Sequence, residues 1–421
     1  MDISARDHII DAIESYLDAS VQITQALVRE DSSNPPGDVC AIATTALQVI
    51  RECIPTAEMT TYQTAPHVRN VVAVIKGTAD GPGRRLLFSG HLDAYPFVPE
   101  QWSMPPLGGS LNDQGTRLYG RGSSDMKGGI AASIVAASVL SKFSDKWSGE
   151  VVIALAGDEE TMGSLGSAYL LEHVEPVRQA DAVICGDAGS PSVVRIGEKG
   201  LVWLEVTAEG VACHGAHVHR GKNAIERLME ALMVLKDLEK LQTEAPDEVE
   251  QVMADAKPIS EPLGGAGEWE TLQRVTVNIG KISGGVSANL VPDNAQASID
   301  IRLPIGVSAA TLLEAVQSRL QRLEGISFQV VQKYDATWTN PSEKIVQDVC
   351  KVVEDMVPTE TTINNRVGAS DTRLFRAKNI PSVVVGLTPN NMGGPDEYIE
   401  VAELHQLCHI HTLAAWQFLT T

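Results

Sequence analysis

His91 and Asp93 stand just past a short apolar run that ends at Gly90, and Asp125 opens a segment rich in Gly and Ala. Asp158, Glu159 and Glu160 follow the run Val151-Val152-Ile153-Ala154-Leu155-Ala156, and Asp187 follows Ala182-Val183-Ile184-Cys185. One imidazole among several carboxylates is a donor set for zinc, and also for cobalt or manganese. A cation held by such a set polarises a carbonyl and acidifies water, and a carboxylate outside the set shuttles the proton. Each fragment alone reads more naturally as solvated surface. Three of them at the ends of apolar runs, with Asp125 at the head of a Gly- and Ala-rich segment, read as one site, because ligands in open α/β sheets bind beyond the carboxyl ends of the strands.

The elements that must position these groups follow from periodicity. Residues 5–29 carry Ile9, Ile10, Ile13, Tyr16 and Leu17 at helical spacing, and a second helix is expected over 39–54. Residues 70–75, 85–90, 151–156 and 182–185 read as buried strands, with a helix over 128–140. Near Gly197 the character changes. Strand 201–207, helix 224–241, strands 274–279 and 295–302, helix 309–323 and strand 326–331 make a β-α-β-β-α-β order, the ferredoxin-like pattern. The acidic, Pro- and Gly-containing stretch 243–271 reads as an insertion or mobile loop. The chain then returns to α/β with helix 342–356, strand 382–385 and a last helix from about Val401. The expected fold is α/β: a metal-binding catalytic domain with a mixed sheet covered by helices, interrupted by a ferredoxin-like α+β lid and dimerisation domain. The expected division is 1–196, 197–333 and 334–421.

Composition bounds the rest. The 421 residues carry 33 basic and 54 acidic side chains, a net charge of −21, which repels phosphate backbones and argues against nucleic-acid binding. The six cysteines form no CxxC pair and read as buried thiols. There is no apolar run long enough to span a membrane, and the charged N-terminus does not read as a signal segment. A cytoplasmic protein is expected.

The blocks Gly90-His91-Leu92-Asp93, Tyr119-Gly120-Arg121-Gly122-Ser123-Ser124-Asp125-Met126-Lys127-Gly128-Gly129 and Asp158-Glu159-Glu160 resemble the M20 metallopeptidases. That family includes acetylornithine deacetylase, succinyl-diaminopimelate desuccinylase, aminoacylase-1 and glutamate carboxypeptidases. The tail block Val367-Gly368-Ala369-Ser370-Asp371-Thr372-Arg373 most resembles the deacetylase and desuccinylase branch. The resemblance implies that His91 and Asp187 bind a first metal, that Asp125 bridges two metals, and that Glu160 binds the second. It implies that Glu159 is the general base toward metal-activated water, and that Asp93 orients the His91 imidazole. Cys213-His214-Gly215-Ala216 matches the lid block, in which His214 reaches the partner subunit's site and stabilises an oxyanion. Ser287-Ala288-Asn289-Leu290 and Asp300-Ile301-Arg302 match two further blocks, in which Asn289 and Arg302 hold the substrate and Arg302 grips a carboxylate.

One departure stands out. Aligning Pro395-Asp396-Glu397-Tyr398 puts Gly393 where the family carries its last metal-binding His. Asn391 and Asp396 are weak substitutes, and His405, His409 and His411 read as surface residues of the last helix. One firmly bound zinc ion is therefore expected, with the second site weak or absent. The expected function is metal-dependent hydrolysis of an amide in a small, dipeptide-like substrate bearing a carboxylate, of the N-acyl amino acid deacylase or carboxypeptidase kind, by a homodimer joined through the inserted domain. The alternatives are a different acyl or amide reaction, amide formation or ring opening, and a non-catalytic dimer that binds a small molecule.

Overall fold

The apolar runs form the centre of a mixed sheet in the computed structural model, which describes residues 3–421. The described chain divides into two units. One runs to Ile196 and takes in Thr339–Asn364 and Ser370–Thr421; the other is Gly197–Trp338 with Asn365–Ala369.

In the first unit the strands lie in the order Glu58–Ala65, Val68–Lys76, Gly149–Ala156, Arg84–His91, Ala182–Cys185, Ser382–Val384 and Val193–Glu198. Gly149–Ala156, Arg84–His91, Ala182–Cys185 and Ser382–Val384 run parallel, and the flanking strands are antiparallel to their neighbours. Parallel strands need cover on both faces. Leu87 faces one layer, with Val152, Leu170, Leu171 and Phe375. Phe88 faces the other, where its ring stacks on His411 of the helix Val401–Thr420 at 5.6 Å. The helix Gly128–Lys142, buried from Gly128 through Leu140, packs against that last helix.

One expectation about this unit changes, and one strand is found that was not expected. The first helix is two helices, Ile3–Glu14 and Leu17–Val28. Between them Tyr16 N donates to Ile13 O at 2.8 Å and the Ser15 hydroxyl donates back to Ala12 O at 2.6 Å, so a tight turn replaces the helical ladder. The strand Glu58–Ala65 (EMTTYQTA) carries too little apolar patterning to stand out, because it is a largely solvated edge strand.

In the second unit the strands Thr276–Gly284, Asn294–Leu303, Gly200–Glu209 and Ile326–Tyr334 form an antiparallel sheet in that order. In chain order the arrangement is 2-3-1-4, the ferredoxin-like arrangement. Helices Ala224–Lys236 and Ala309–Leu320 cover one face, with Leu228, Leu232, Leu312 and Val316 packed onto Val206, Ala297 and Ile299. Asn223 caps the first helix by accepting the Ile225 and Glu226 amides at 3.0 and 3.3 Å. The stretch 243–271 is no loop: it holds the helices Asp247–Gly264 and Glu268–Gln273. Val249, Met253, Ala256 and Ser260 fall on one buried face at helical spacing, and Val249 and Met253 pack with Leu272 and Ile305. Pro258 and Pro262, which read as breakers, are carried inside this helix. Among the described residues no helix is long and apolar enough to cross a membrane.

Candidate active site

Arg84–His91, Gly149–Ala156 and Ala182–Cys185 run parallel, so their carboxyl ends share one edge of the sheet. His91, the Asp158-Glu159-Glu160 turn and Asp187 emerge there. Asp125 arrives from the helix side, just ahead of Gly128–Lys142. A Cβ at Gly129 would stand 1.9 Å from the Gly186 carbonyl oxygen, so only glycine lets this helix approach the strand end that carries Asp187. As a result His91, Asp125 and Asp187, all buried, each offer a ligand atom within 4.8 Å of the others. His91 Nε2 lies 3.1 Å from Asp125 Oδ1.

The nearest oxygen to His91 Nδ1 belongs to the Asp93 backbone, at 2.9 Å; the Asp93 carboxylate is 3.6 Å away. That carboxylate has other partners. It accepts the backbone amides of Glu159 and Glu160, both at 3.1 Å, and the Asn34 side-chain amide at 2.9 Å. Asp93 therefore anchors the turn that carries both glutamates. Glu160 Oε1 is buried without a hydrogen-bond partner.

The electrostatics of this pocket ask for a cation. Burial pushes the Asp125 carboxyl above its usual range, and the nearby Asp187 charge adds to the shift. Burial raises Glu159 strongly; the His91 charge opposes this, while Asp371, Asp187 and Glu160 reinforce it. Burial and the Asp125 charge lift Glu160 to about 8. Burial alone would lower His91, yet its hydrogen bonds with Asp125 and Asp93 carry it well above the ordinary imidazole value. Carboxylates crowded in this way share the repulsion that a bound cation relieves. The donor set of one imidazole and several carboxylate oxygens, together with the unpartnered Glu160 oxygen, fits a divalent metal.

His214, Asn289 and Arg302 lie in the second unit. Cys213–His214 pairs with Leu290–Val291, and Asn289 O accepts the Gly215 amide at 2.7 Å, so His214 and Asn289 are neighbours on one small ladder. His214 is exposed, and its Nδ1 accepts the Ala216 amide at 3.1 Å. The Arg302 fork is engaged by Asp300 two residues away on the same strand, with Nε and Nη2 donating at 2.9–3.1 Å.

Around Gly393 the chain turns with φ +73°. Asp396 accepts the Ser103 amide and hydroxyl, both at 2.8 Å, and the Met104 amide at 3.2 Å; Asn391 Nδ2 donates to Asp396 O. Asp396 is thus engaged by the distant 103–104 segment and Asn391 by its own loop. Two of the three C-terminal histidines are buried, while His405 is only half-buried. His411 is fully buried, with Nε2 3.0 Å from Val385 O, and His409 is nearly so, with Nε2 3.1 Å from Glu14. The last helix is covered almost all round, which its apolar composition between the histidines announces.

Three further residues belong to the site's surroundings. Tyr95 places its ring 3.9 Å from where a Gly393 Cβ would stand, and the Glu160 charge raises its phenol. Arg121 and Glu397 form a buried pair at 2.6 Å. Arg121 and Glu397 lie inside the blocks Tyr119–Gly129 and Pro395–Tyr398, which by themselves assign them no role, and the signal of Tyr95 is its position two residues past Asp93.

An α/β sheet with such a donor set at its carboxyl edge has the make-up of a metal-binding enzyme fold. The chain belongs to Peptidase family M20/M25/M40, whose pattern matches residues 87–417, and it is a hydrolase acting on amide bonds. It is 27% identical over 335 residues to the succinyl-diaminopimelate desuccinylase of Roseobacter denitrificans, covering 77% of this chain and 81% of that protein. It is 28% identical over 337 residues to the same-named protein of Paracoccus denitrificans, covering 77% and 80%. Among solved structures it resembles the M20 family metallo-carboxypeptidase Sso-CP2 from Sulfolobus solfataricus, with TM-score 0.77, 19% identity and coverage of 95% and 99%. Human carnosine dipeptidase 1 follows the same fold, with TM-score 0.73, 14% identity and coverage of 99% of each chain. The expected α/β fold and the expected family are borne out.

Proposed function

We propose that the protein is a metal-dependent deacylase of N-acyl amino acids that cleaves an amide close to a substrate carboxylate. The observation that carries this reading is the convergence of His91, Asp125 and Asp187 beside Glu159 and Glu160. His91, Asp125 and Asp187 would hold one zinc ion, with cobalt or manganese as substitutes, and Asp125 with Glu160 a second, weaker one. A bound ion supplies Lewis-acid polarisation of the scissile carbonyl and lowers the pKa of water. Glu159 takes the proton of the attacking water and returns it to the leaving amine nitrogen, a role suited to a carboxyl held above its usual range. Asp93 keeps Glu159 and Glu160 in place through their amides. Arg302 and Asn289 hold the substrate carboxylate, with Arg302 exchanging Asp300 for it. The desuccinylase relatives support the deacylase over the carboxypeptidase form of this reading.

The same proposal includes a homodimer formed through the inserted unit, with His214 of the partner subunit stabilising the oxyanion. Exposed Met229 and Met233 on the helix Ala224–Lys236, and exposed Ile279 and Ile282 on the edge strand Thr276–Gly284, support it. It also includes a cytoplasmic setting, supported by six unpaired cysteines.

A second reading is favoured by Gly393: a family member whose altered metal site runs amide formation or ring opening. The deciding experiment combines metal analysis of the purified chain with turnover of N-succinyl and N-acetyl amino acids and of dipeptides. The proposal expects hydrolysis of free-acid N-acyl substrates, lost on chelation and restored by zinc, cobalt or manganese. Bound metal without hydrolysis of any of them supports the second reading. Absence of bound metal overturns both.

A further inference from the structure

Glu397 is 1% exposed and Arg121 is 2% exposed, and the Arg121 Nη1 to Glu397 Oε2 distance is 2.6 Å. A buried ion pair is weak support for stability, because the desolvation of two charges offsets their attraction; apolar residues of similar volume often do as well or better. The pair's other contacts give it a different role. Glu397 Oε1 accepts the Ser124 amide at 3.0 Å, the Ser124 hydroxyl at 2.9 Å and the Asp125 amide at 3.4 Å, while Oε2 accepts the Gly122 amide at 3.2 Å. One carboxylate thus gathers the backbone on the N-terminal side of Asp125, and Asp125's own amide. Arg121 Nη2 donates to the carbonyls of Gly393 and Gly394 at 3.1 and 2.9 Å, and its guanidinium lies over the Trp102 ring at 5.1 Å.

The geometry points to Glu397 as the positioning residue of Asp125, and to Arg121 as the clamp that holds the Gly393 turn to the same carboxylate. The inference rests on the reading of Asp125 as a metal ligand. Two loops far apart in sequence, 121–125 and 393–397, are joined through one buried charge pair. The side chain that must face a cation is therefore set by backbone amides that cannot rotate away. Residues that orient a ligand from behind change metal affinity by about 10–100-fold when altered.

In Glu397→Gln an amide nitrogen replaces one acceptor oxygen and faces donors. Ser124→Ala removes a single hydrogen bond from the same carboxylate and leaves the charge pair intact. The experiment strips the chain of metal and titrates wild type and both variants with zinc, reading the dissociation constant by competition with a chromophoric chelator and folding by thermal unfolding of the apo form. The expected result is a zinc affinity about 10–100-fold weaker in Glu397→Gln and weakened to a smaller extent in Ser124→Ala, with the apo unfolding temperature of Ser124→Ala close to wild type. If Glu397→Gln does not fold, Ser124→Ala and Arg121→Lys decide, and wild-type affinity in both overturns the inference. Wild-type affinity in a folded Glu397→Gln overturns it as well. A wild-type chain that takes up no zinc overturns the underlying reading of Asp125 and the inference together; that result differs from the others because no variant is needed to see it.

Discussion

Asp93 Oδ1 accepts the backbone amide of Glu159 at 3.1 Å, so the residue two positions after His91 sets the turn that carries the proposed proton shuttle. Its other oxygen takes Glu160 N and the Asn34 side chain. Asparagine at this position keeps one acceptor and turns a donor toward the remaining partners. Asp93→Asn is expected to cost about 1–3 kcal/mol of stability, the penalty of leaving buried polar groups unpaired. It should also lower kcat by about tenfold or more. Urea unfolding and steady-state kinetics on the same preparation check both; full activity in Asp93→Asn would remove the anchoring role.

Glu159→Gln removes the exchangeable proton site while keeping the shape of the side chain. The expected loss in kcat is about 10²–10⁴-fold, the usual contribution of general acid–base catalysis. Metal content should equal that of the wild type, because Glu159 lies outside the ligand set of His91, Asp125 and Asp187. Elemental analysis of the variant that finds metal missing would reassign Glu159 as a ligand.

The proposed completion of each site by the partner's His214 predicts complementation. Glu159→Gln and His214→Ala subunits, each inactive as homodimers, should regain part of the wild-type rate when unfolded together and refolded as a mixture. A mixed dimer holds one site with both groups intact. An inactive mixture of verified heterodimers, or an active monomer in sedimentation, would sink the idea.

Gly393 predicts a metal stoichiometry near one ion per chain after dialysis. Gly393→His should move it toward two, since a Cβ there meets only the Tyr95 ring, at 3.9–4.0 Å. The substitution carries a backbone penalty of about 1–2 kcal/mol, because φ is +73°. Equal retention of two ions by the wild type would disprove the weak second site.

His411 supplies a pH dependence away from the site. Burial holds its imidazole neutral, with the pKa lowered to about 4 from an ordinary value near 6.5. Between those values the unfolded chain binds a proton that the folded chain refuses, so this residue's contribution to stability falls as pH drops from 6.5 to 4. The full loss is on the order of 3 kcal/mol. The raised carboxyls Glu159 and Glu160 act in the opposite direction, so the contribution is read as a difference. His411→Phe should flatten the fall in urea midpoint between pH 7 and pH 4.5 relative to wild type. Parallel curves for the two proteins would count against it.

By itself the sequence determined most of the order of the elements and the ferredoxin-like insertion, and it singled out His91, Asp125 and Asp187, which the fold brings within 4.8 Å of one another. Buried strands announce themselves as unbroken apolar runs, and a donor at the carboxyl end of such a run has one place to go. The role of Gly129, whose lack of a side chain lets Asp125 meet Asp187, is visible only in the structure. Where burial is partial, the pattern misleads. The helix Asp247–Gly264 hides behind two prolines and an acidic face, and only its packing on Leu272 and Ile305 makes the reading plain. The fate of His411 depends on a neighbouring strand's carbonyl, and that of Asp93 on amides more than sixty residues away. The Arg121–Glu397 pair joins loops separated by 276 positions. Partnerships of this kind are decided by tertiary structure alone, because a hydrogen bond depends on distance and direction in space, and neither is encoded in the local pattern around either residue.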